Sequence, residues 1–360
     1  VQEHEEWLNE ILELIAPGTA FREGLENILK AKTGGLIILA ENNDVIKSLV
    51  DGGFKIDVLL TSTNLYELGK MDGAIVLDAE AKNILYANAL LIPDPTIKSS
   101  ETGARHRTAE RVAKQTSNLV IAISERRDII TLYKNEKKHV LEEIRVVLSK
   151  ANQAVQTLEK YRKVFDQTLI NLSALEFENL VTIADVVTVI KRAEMVLKIK
   201  NEIEKYILEL GNEGRLIEMQ LEELVMSVEE ENKLLIKDYI AEEKLADEVA
   251  AEDIIKELRE LNKDDMLTTR EIRSILGHGG NVNSLDLIID PRGYRILKKI
   301  PRLPMPVIEN IIEEFGDLNE INVASLDELD EVEGVGEVRA QAIKDGLRRL
   351  RDQVLLDRHI

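Results

Sequence analysis

The chain contains no cysteine among its 360 residues, which excludes disulfides, thiolate catalysis and Cys-ligated zinc and is compatible with a reducing compartment. Aromatic residues make up only 4% of it. Proline occurs seven times, with none between Pro95 and Pro291, so a long central stretch is free of the strongest helix breaker. No charge-free apolar run approaches the length of a membrane span, and the first residues, Val1 to Trp7, are acidic where a signal peptide is basic. A cytoplasmic location and no membrane partner are therefore expected. Positive charge is scarce as well: 47 Lys and Arg against 67 Asp and Glu leave a net charge of -20, which discourages indiscriminate binding to nucleic acid. Any site for a polyanion has to be local. What is present is an ordinary 44% of hydrophobic residues and enough chain for two or three domains.

Three textures follow one another. Up to about residue 135, short β-rich runs alternate with helical stretches, the pattern of an α/β domain. Strands are predicted over 36–40, 73–77, 84–87, 119–123 and 129–133, and helices over 5–15, 20–30, 64–70 and 108–115. Because only Ser124 to Asp128 separates the last two strands, an antiparallel hairpin is expected, and hence a mixed sheet. From about Glu136 apolar residues take helical spacing: Leu141, Ile144, Leu148, Ala151, Val155 and Leu158 form one stripe. Ile203, Ile207 and Leu210, then Leu216, Met219, Leu224 and Val228, continue it past a break near Gly211 and Gly214, which predicts an all-α spine of several helices over 136–290. Spacer and oligomerisation surface are both open readings of that spine. The glycines of the loop Gly277 to Asn283 match neither a complete phosphate-binding loop nor a dinucleotide fingerprint and receive no chemistry.

Residues 291–360 end in a hairpin. Leu326 to Leu329 leads through Val332 to a Gly334-Val335-Gly336 turn and a second helical run. This resembles a helix-hairpin-helix DNA-binding motif, in which glycines let the backbone approach a phosphodiester and N–H groups at the next helix start bind it. Gly334, Val335 and Gly336, with a basic patch of Arg339, Lys344 and Arg348, are the expected DNA contacts, and they position a protein without reading bases. A preceding run, Ile300 to Ile308, looks like the partner hairpin, with prolines where N–H donors would be; it is read as structural. Protein contacts are the other use open to this pair.

One further stretch stands out. Gly103-Ala104-Arg105-His106-Arg107-Thr108 gathers cations at the start of a helix, where the macrodipole favours anions. A bound phosphate resolves that conflict, since free N–H groups, two guanidinium forks and a hydroxyl converge on it; a solvated charge run is the bland alternative. Thirty residues earlier, Asp72-Gly73-Ala74 opens an apolar strand, either as a turn carboxylate or as a metal ligand or base.

The Asp-Gly-Ala motif at Asp72 and the Arg-His-Arg motif at Arg105 together resemble the diadenylate cyclase family. The order of α/β front, helical spine and terminal hairpin is similar to its DNA-scanning members over essentially the whole chain. The resemblance implies condensation of two ATP molecules into cyclic di-AMP with release of two pyrophosphates, using Mg²⁺ or Mn²⁺ at Asp72. It implies catalytic roles for Asp72, Arg105, His106 and Arg107. ATP would also be held by Gly73, by Leu91 through its backbone, and by Ala104, Thr108 and Arg127. It implies a homo-octamer with two cyclase domains face to face, and regulation by branched or damaged DNA. A DNA-binding scaffold that binds nucleotide without turnover is the alternative.

Overall fold

The structure, a computed structural model, describes residues 2–40, 49–246, 251–261, 267–278 and 286–357. The chain forms two compact units, one of Val1–Gln153 with Glu204–Glu218 and one of Ala154–Ile203 with Met219–Ile360.

The first unit runs α1 (Gln2–Leu14), α2 (Ala20–Lys30), β1 (Gly35–Ala40), β2 (Val50–Asp51), β3 (Phe54–Leu59), α3 (Ser62–Leu68), β4 (Ala74–Asp78), β5 (Asn83–Leu91), α4 (Ala104–Thr116), β6 (Val120–Ser124), β7 (Ile129–Lys134) and β8 (Lys137–Leu141). Its strands make one sheet in the order β2-β5-β4-β1-β6-β7-β8, with β3 also on β5. Only β1 and β4 run parallel, so the sheet is mixed as expected. Strand period sorts the core into two layers. Ile37 and Leu39 of β1 face Trp7, Leu25 and Ile28 of α1 and α2, whereas Ile38 and Ala40 face Ala109, Val112 and Ala113 of α4. The small side chains on that second face let α4 lie close to the strands.

Three strands have no counterpart among those expected: the two-residue β2, β3 and β8. β3 exposes Phe54 and Leu59, so its pattern does not resemble a buried strand, and β8 is Lys-Lys-His-Val-Leu. Leu141 is thus the last residue of β8 and does not open the helical stripe. α4 begins at Ala104, four residues before the expected start, which puts Arg105 to Thr108 inside its first turn and a half.

The helices continue with α5 (Ile144–Glu178), α6 (Ile183–Leu210), a 3-10 turn at Gly211–Gly214, α7 (Arg215–Val225), α8 (Val228–Tyr239), α9 (Glu242–Ala246), α10 (Ala251–Leu261) and α11 (Thr269–Ile275). The break at Gly211 and Gly214 is where the spacing placed it. The stripe beyond it holds only at its end: Val228 is buried, whereas Leu216 and Met219 are exposed, and α7 instead buries Ile217 and Leu221. Of the glycine loop, Gly277 and His278 are described and Gly279 to Asn283 lie outside the described residues.

The last helices are α12 (Tyr294–Lys298), α13 (Met305–Phe315), α14 (Leu318–Val323), α15 (Leu326–Asp330) and α16 (Glu337–Asp357). They form two hairpins, α12–α13 and α15–α16, around one core that holds Leu297, Ile300 and Leu303 of the first and Leu329, Val332 and Val335 of the second. The partner hairpin expected from the sequence is therefore present.

In the second unit a buried ionic cluster joins α5, α8 and α12. Arg295 is fully buried, and its Nη2 donates to Ser173 Oγ at 3.0 Å and to the Glu176 carboxylate. Asp238 accepts the backbone N–H groups of Gly293, Tyr294 and Arg295 at 2.8, 2.6 and 3.1 Å, capping α12 from another helix.

Candidate active site

Parallel pairing of β1 with β4 sets the site. Ile37 lies opposite Ile75, and continuing that register back three residues puts Gly34 beside Asp72. On the other flank of β1, Gly35 pairs with Ile123, so the β6–β7 turn carrying Arg127 rises at the same end. Arg105, in the first turn of α4, lays its guanidinium over Gly34: a Cβ added to that glycine would sit 2.0 Å from Nη1. Adjacent strands are about 4.8 Å apart. The fold thus collects Asp72, Arg105 and Arg127 along one end of the sheet, although they are far apart in sequence.

Asp72 is exposed. Gly73, next to it, has no room for a side chain. A Cβ there would stand 2.4 Å from the carbonyl carbon of Asn88, and the Gly73 N–H donates to Asn88 Oδ1 at 3.1 Å. The glycine is required by the close approach of β5, a reason found inside the protein itself. Leu91 is buried at the end of β5, opposite Val50, with its side chain in the core.

The start of α4 is open. Gly103 is its N-cap, makes no side-chain cap and is followed by no acid in the first turn. Ala104 and Thr108 lie in the same stretch. Uncapped N–H groups at the positive end of a helix, with cations instead of carboxylates beside them, form an anion site. Arg107 is partly committed: its Nη2 donates to Thr102 O at 3.1 Å and its Nε to Glu101 O at 3.4 Å. It fixes the loop before the helix. Glu110, Arg111, Lys114 and Gln115 bond the same loop from further along α4.

That pinned loop carries Glu101 to the base of the site, a position no local motif marks. His106 is buried, with Nδ1 2.9 Å from Tyr133 Oη; the hydroxyl is 2.9 Å from Glu101 Oε1, which also meets the Lys138 ammonium. Burial alone would raise the Glu101 pKa, but the hydrogen bonds from Lys138 and Tyr133 hold it below the usual carboxylate range. An ionised Glu101 takes the single Tyr133 proton. Tyr133 must then accept from His106, so Nδ1 carries the imidazole proton. Burial lowers the His106 pKa, Arg127, Lys138 and Arg105 lower it further, and Glu101 offsets only part. The ring is neutral. Its Nε2 is left as an unprotonated acceptor, buried and with no hydrogen-bond partner among the described residues. In this form His106 cannot donate to a phosphate from Nε2; cations at the site come from the arginines.

No group of three His, Asp or Glu side chains able to hold a metal occurs among the described residues. Asp72 alone would offer a divalent cation one carboxylate, with phosphate oxygens and water completing the shell. That suits Mg²⁺, which is bound by one or two carboxylates plus substrate phosphates. Among the described residues no helix is long and apolar enough to cross a membrane.

In the terminal hairpins the expected DNA contacts are placed unequally. Gly334 has φ +85° and Gly336 is exposed, but Val335 is buried and its N–H donates to Val332 O at 2.9 Å. Its side chain belongs to the core. Lys344 Nζ donates to Asn322 O at 2.8 Å, Arg339, though exposed, donates from Nη1 to the Gly334 carbonyl, and Arg348 pairs with Asp345 at 3.2 Å.

Comparison with known proteins matches three families: the DisA bacterial checkpoint controller nucleotide-binding family over residues 22–138, its linker region over 141–285, and the helix-hairpin-helix motif over 317–346. Among curated proteins, the chain is 55% identical over 357 residues to the DNA integrity scanning protein DisA of Bacillus subtilis (strain 168), covering 99% of this chain and 98% of that one. It is 56% identical to the DisA of Carboxydothermus hydrogenoformans, over 95% of this chain and 96% of that one. With that of Clostridium perfringens (strain SM101 / Type A) it shares 53% over 99% of both.

Proposed function

The chain belongs to the family of the DNA integrity scanning protein DisA, and on that premise we propose that its first unit condenses two ATP molecules into cyclic di-AMP while its terminal hairpins hold DNA. It is a diadenylate cyclase. The observation that supports the assignment of residues is the shared sheet end, along which strand register puts Asp72, Arg105 and Arg127 at the uncapped start of α4. N–H groups of that first turn and the Arg105 and Arg127 guanidinium groups bind the triphosphate. Arg107 holds the loop that keeps the turn open. Asp72 would hold a divalent cation, Mg²⁺ or Mn²⁺, which when bound would supply neutralisation of phosphate charge. The 3'-hydroxyl of one ATP releases its proton to water as its oxygen bonds to the α-phosphorus of the other and the bond to pyrophosphate breaks.

The product has two-fold symmetry, so two sites face each other and each hydroxyl attacks the ATP held by the opposite subunit. A monomer is then inactive. The homo-octamer, and a fall in synthesis when branched or damaged DNA occupies the hairpins, are parts of the proposal that rest on the family resemblance.

The test is incubation of the full chain with ATP and Mg²⁺ or Mn²⁺, with products identified by mass spectrometry. Cyclic di-AMP is expected from the wild type, and Asp72→Asn should cut its formation by at least about 100-fold with unchanged thermal stability. Wild-type turnover in Asp72→Asn would remove the carboxylate from the mechanism. A stable monomer whose specific activity is independent of concentration would remove the facing pair.

A further inference from the structure

The two terminal hairpins are one unit repeated at an interval of 32 residues. α12 and α15 begin at 294 and 326, and α13 and α16 begin at 305 and 337. The buried positions correspond as well: Leu297 with Leu329, Ile300 with Val332, Leu303 with Val335, Ile308 with Ala340 and Ile311 with Ile343. Even the backbone turn repeats, since Arg302 at φ +63° occupies the place of Gly334 at φ +85°.

Charge does not repeat. From Leu297 to Ile308 the first hairpin has Lys298, Lys299 and Arg302 and no acid; from Leu329 to Ala340 the second has Asp330, Glu331, Glu333 and Glu337 against Arg339 alone. The Gly-Val-Gly hairpin therefore offers N–H groups inside an acidic surface, and Arg339 is turned onto its own loop. Lys298 is paired with Glu230 at 3.1 Å. Arg302 is exposed at the tip of the first turn, with no hydrogen bond or ion pair among the described residues. It also holds a left-handed conformation that the equivalent glycine adopts at no steric cost. A bulky cation kept at a glycine position, on the basic member of an otherwise equivalent pair, is placed for its charge.

We infer that the loop Pro301-Arg302-Leu303-Pro304 is the principal side-chain contact to the DNA backbone, with the Gly334–Gly336 loop adding main-chain contacts. This rests on the DNA-binding reading of the hairpins and reverses the roles that the glycine motif alone suggests. Phosphate contact by side-chain cations is the term that sets affinity and its salt dependence.

Arg302→Gly separates charge from fold, because glycine is the residue the repeat already accepts here. Fluorescence anisotropy of the full-length oligomer with a labelled four-way junction and a labelled linear duplex, over a series of salt concentrations, gives the readout. Arg302→Gly should keep or raise the Tm, weaken DNA binding roughly tenfold and lower the salt slope by about one ion per site. Arg302→Glu should weaken binding more, Arg302→Lys should restore most of it, and Arg339→Ala should do less than Arg302→Gly. Wild-type affinity and slope in both Arg302→Gly and Arg302→Glu would overturn the inference and leave the second hairpin as the DNA contact. Absence of DNA binding by the wild-type protein would overturn the DNA-binding reading as well.

Discussion

Glu101 in the first unit and Asp238 in the second are both buried acids near basic side chains, yet their protons are held in opposite ways. Glu101 has Lys138 to itself, accepts from Tyr133 and is held in the ionised range. Asp238 shares Arg295 with Glu176, and burial first, then the neighbouring Glu176 charge, push its pKa up to about 7 despite three backbone N–H donors. One network spends its polarity on presenting a single unpartnered atom, Nε2 of His106, below the ligand site. The other turns inward: its polarity joins α12 to α5 and α8. The difference lies in the ratio of cations to carboxylates, and it separates a network that shapes a site from one that docks a helix.

The comparison breaks most sharply at Arg295. Arg295→Met removes the cation between two buried carboxylates, which leaves them uncompensated, and such losses cost about 3–5 kcal/mol. Chemical denaturation of the second unit should show a correspondingly lower midpoint. A change under about 1 kcal/mol would mean that Glu176 and Asp238 simply take up protons and that the cluster adds little stability.

A smaller effect is expected from pH. Because the folded-state pKa of Asp238 lies above its unfolded value, the stability it contributes is full at low pH and is lost as pH rises through about 7. Between pH 5 and 7 the native acid keeps a proton that the unfolded acid has shed, a loss of about 2 kcal/mol over that window. Glu176, also raised by burial, adds to the same trend. Glu101, held low, has its contribution on the acid side of that window, so the two regions titrate apart. Asp238→Asn keeps the amide oxygen as an acceptor and should flatten the decline of Tm from pH 5 to 7. An undiminished decline would place the titration elsewhere.

How much of this was legible in the sequence varies with what each feature depends on. Ala20 to Lys30 reads as a helix because its cap and apolar spacing are local, and the structure places α2 over that span with Thr19 Oγ1 accepting the Arg22 N–H at 3.1 Å. Arg105 and Asp72 were legible as short motifs. Their placement at one end of the sheet was not, since it follows from the β1–β4 register and, for Arg127, from the β6–β7 hairpin. Glu101, Tyr133 and Lys138 carry no local signal: Tyr133 reads as an ordinary strand aromatic, and Glu101 reaches it only because α4 pins the preceding loop. Gly73 was expected among the ATP contacts, and the structure adds a reason for the glycine that the sequence did not show: the close approach of Asn88. Val335 read as a DNA contact because motif letters do not distinguish a loop residue that faces out from one that faces the core. The partner hairpin was legible, but its 32-residue equivalence in burial and backbone angles was not, because the proline turn and the glycine turn share almost no residue identities.

The smallest expected effect is the most specific to the first network. Tyr133→Phe removes one hydroxyl, costs about 1 kcal/mol of stability and leaves the packing of the ring in place. Its consequence is chemical. Without the hydroxyl, His106 Nδ1 has no acceptor, and nothing dictates which nitrogen carries the proton. Nitrogen-15 chemical shifts of the imidazole in the full chain should show a single tautomer protonated at Nδ1 in the wild type and a mixture, or the Nε2-protonated form, in Tyr133→Phe. If the tautomer sets how His106 meets its surroundings, turnover of ATP should fall in the variant while nucleotide affinity, carried by the arginines and the α4 start, stays near that of the wild type. An unchanged tautomer in Tyr133→Phe would mean that a donor to Nε2 holds the ring in that form, and Glu101 would then matter only for anchoring the loop.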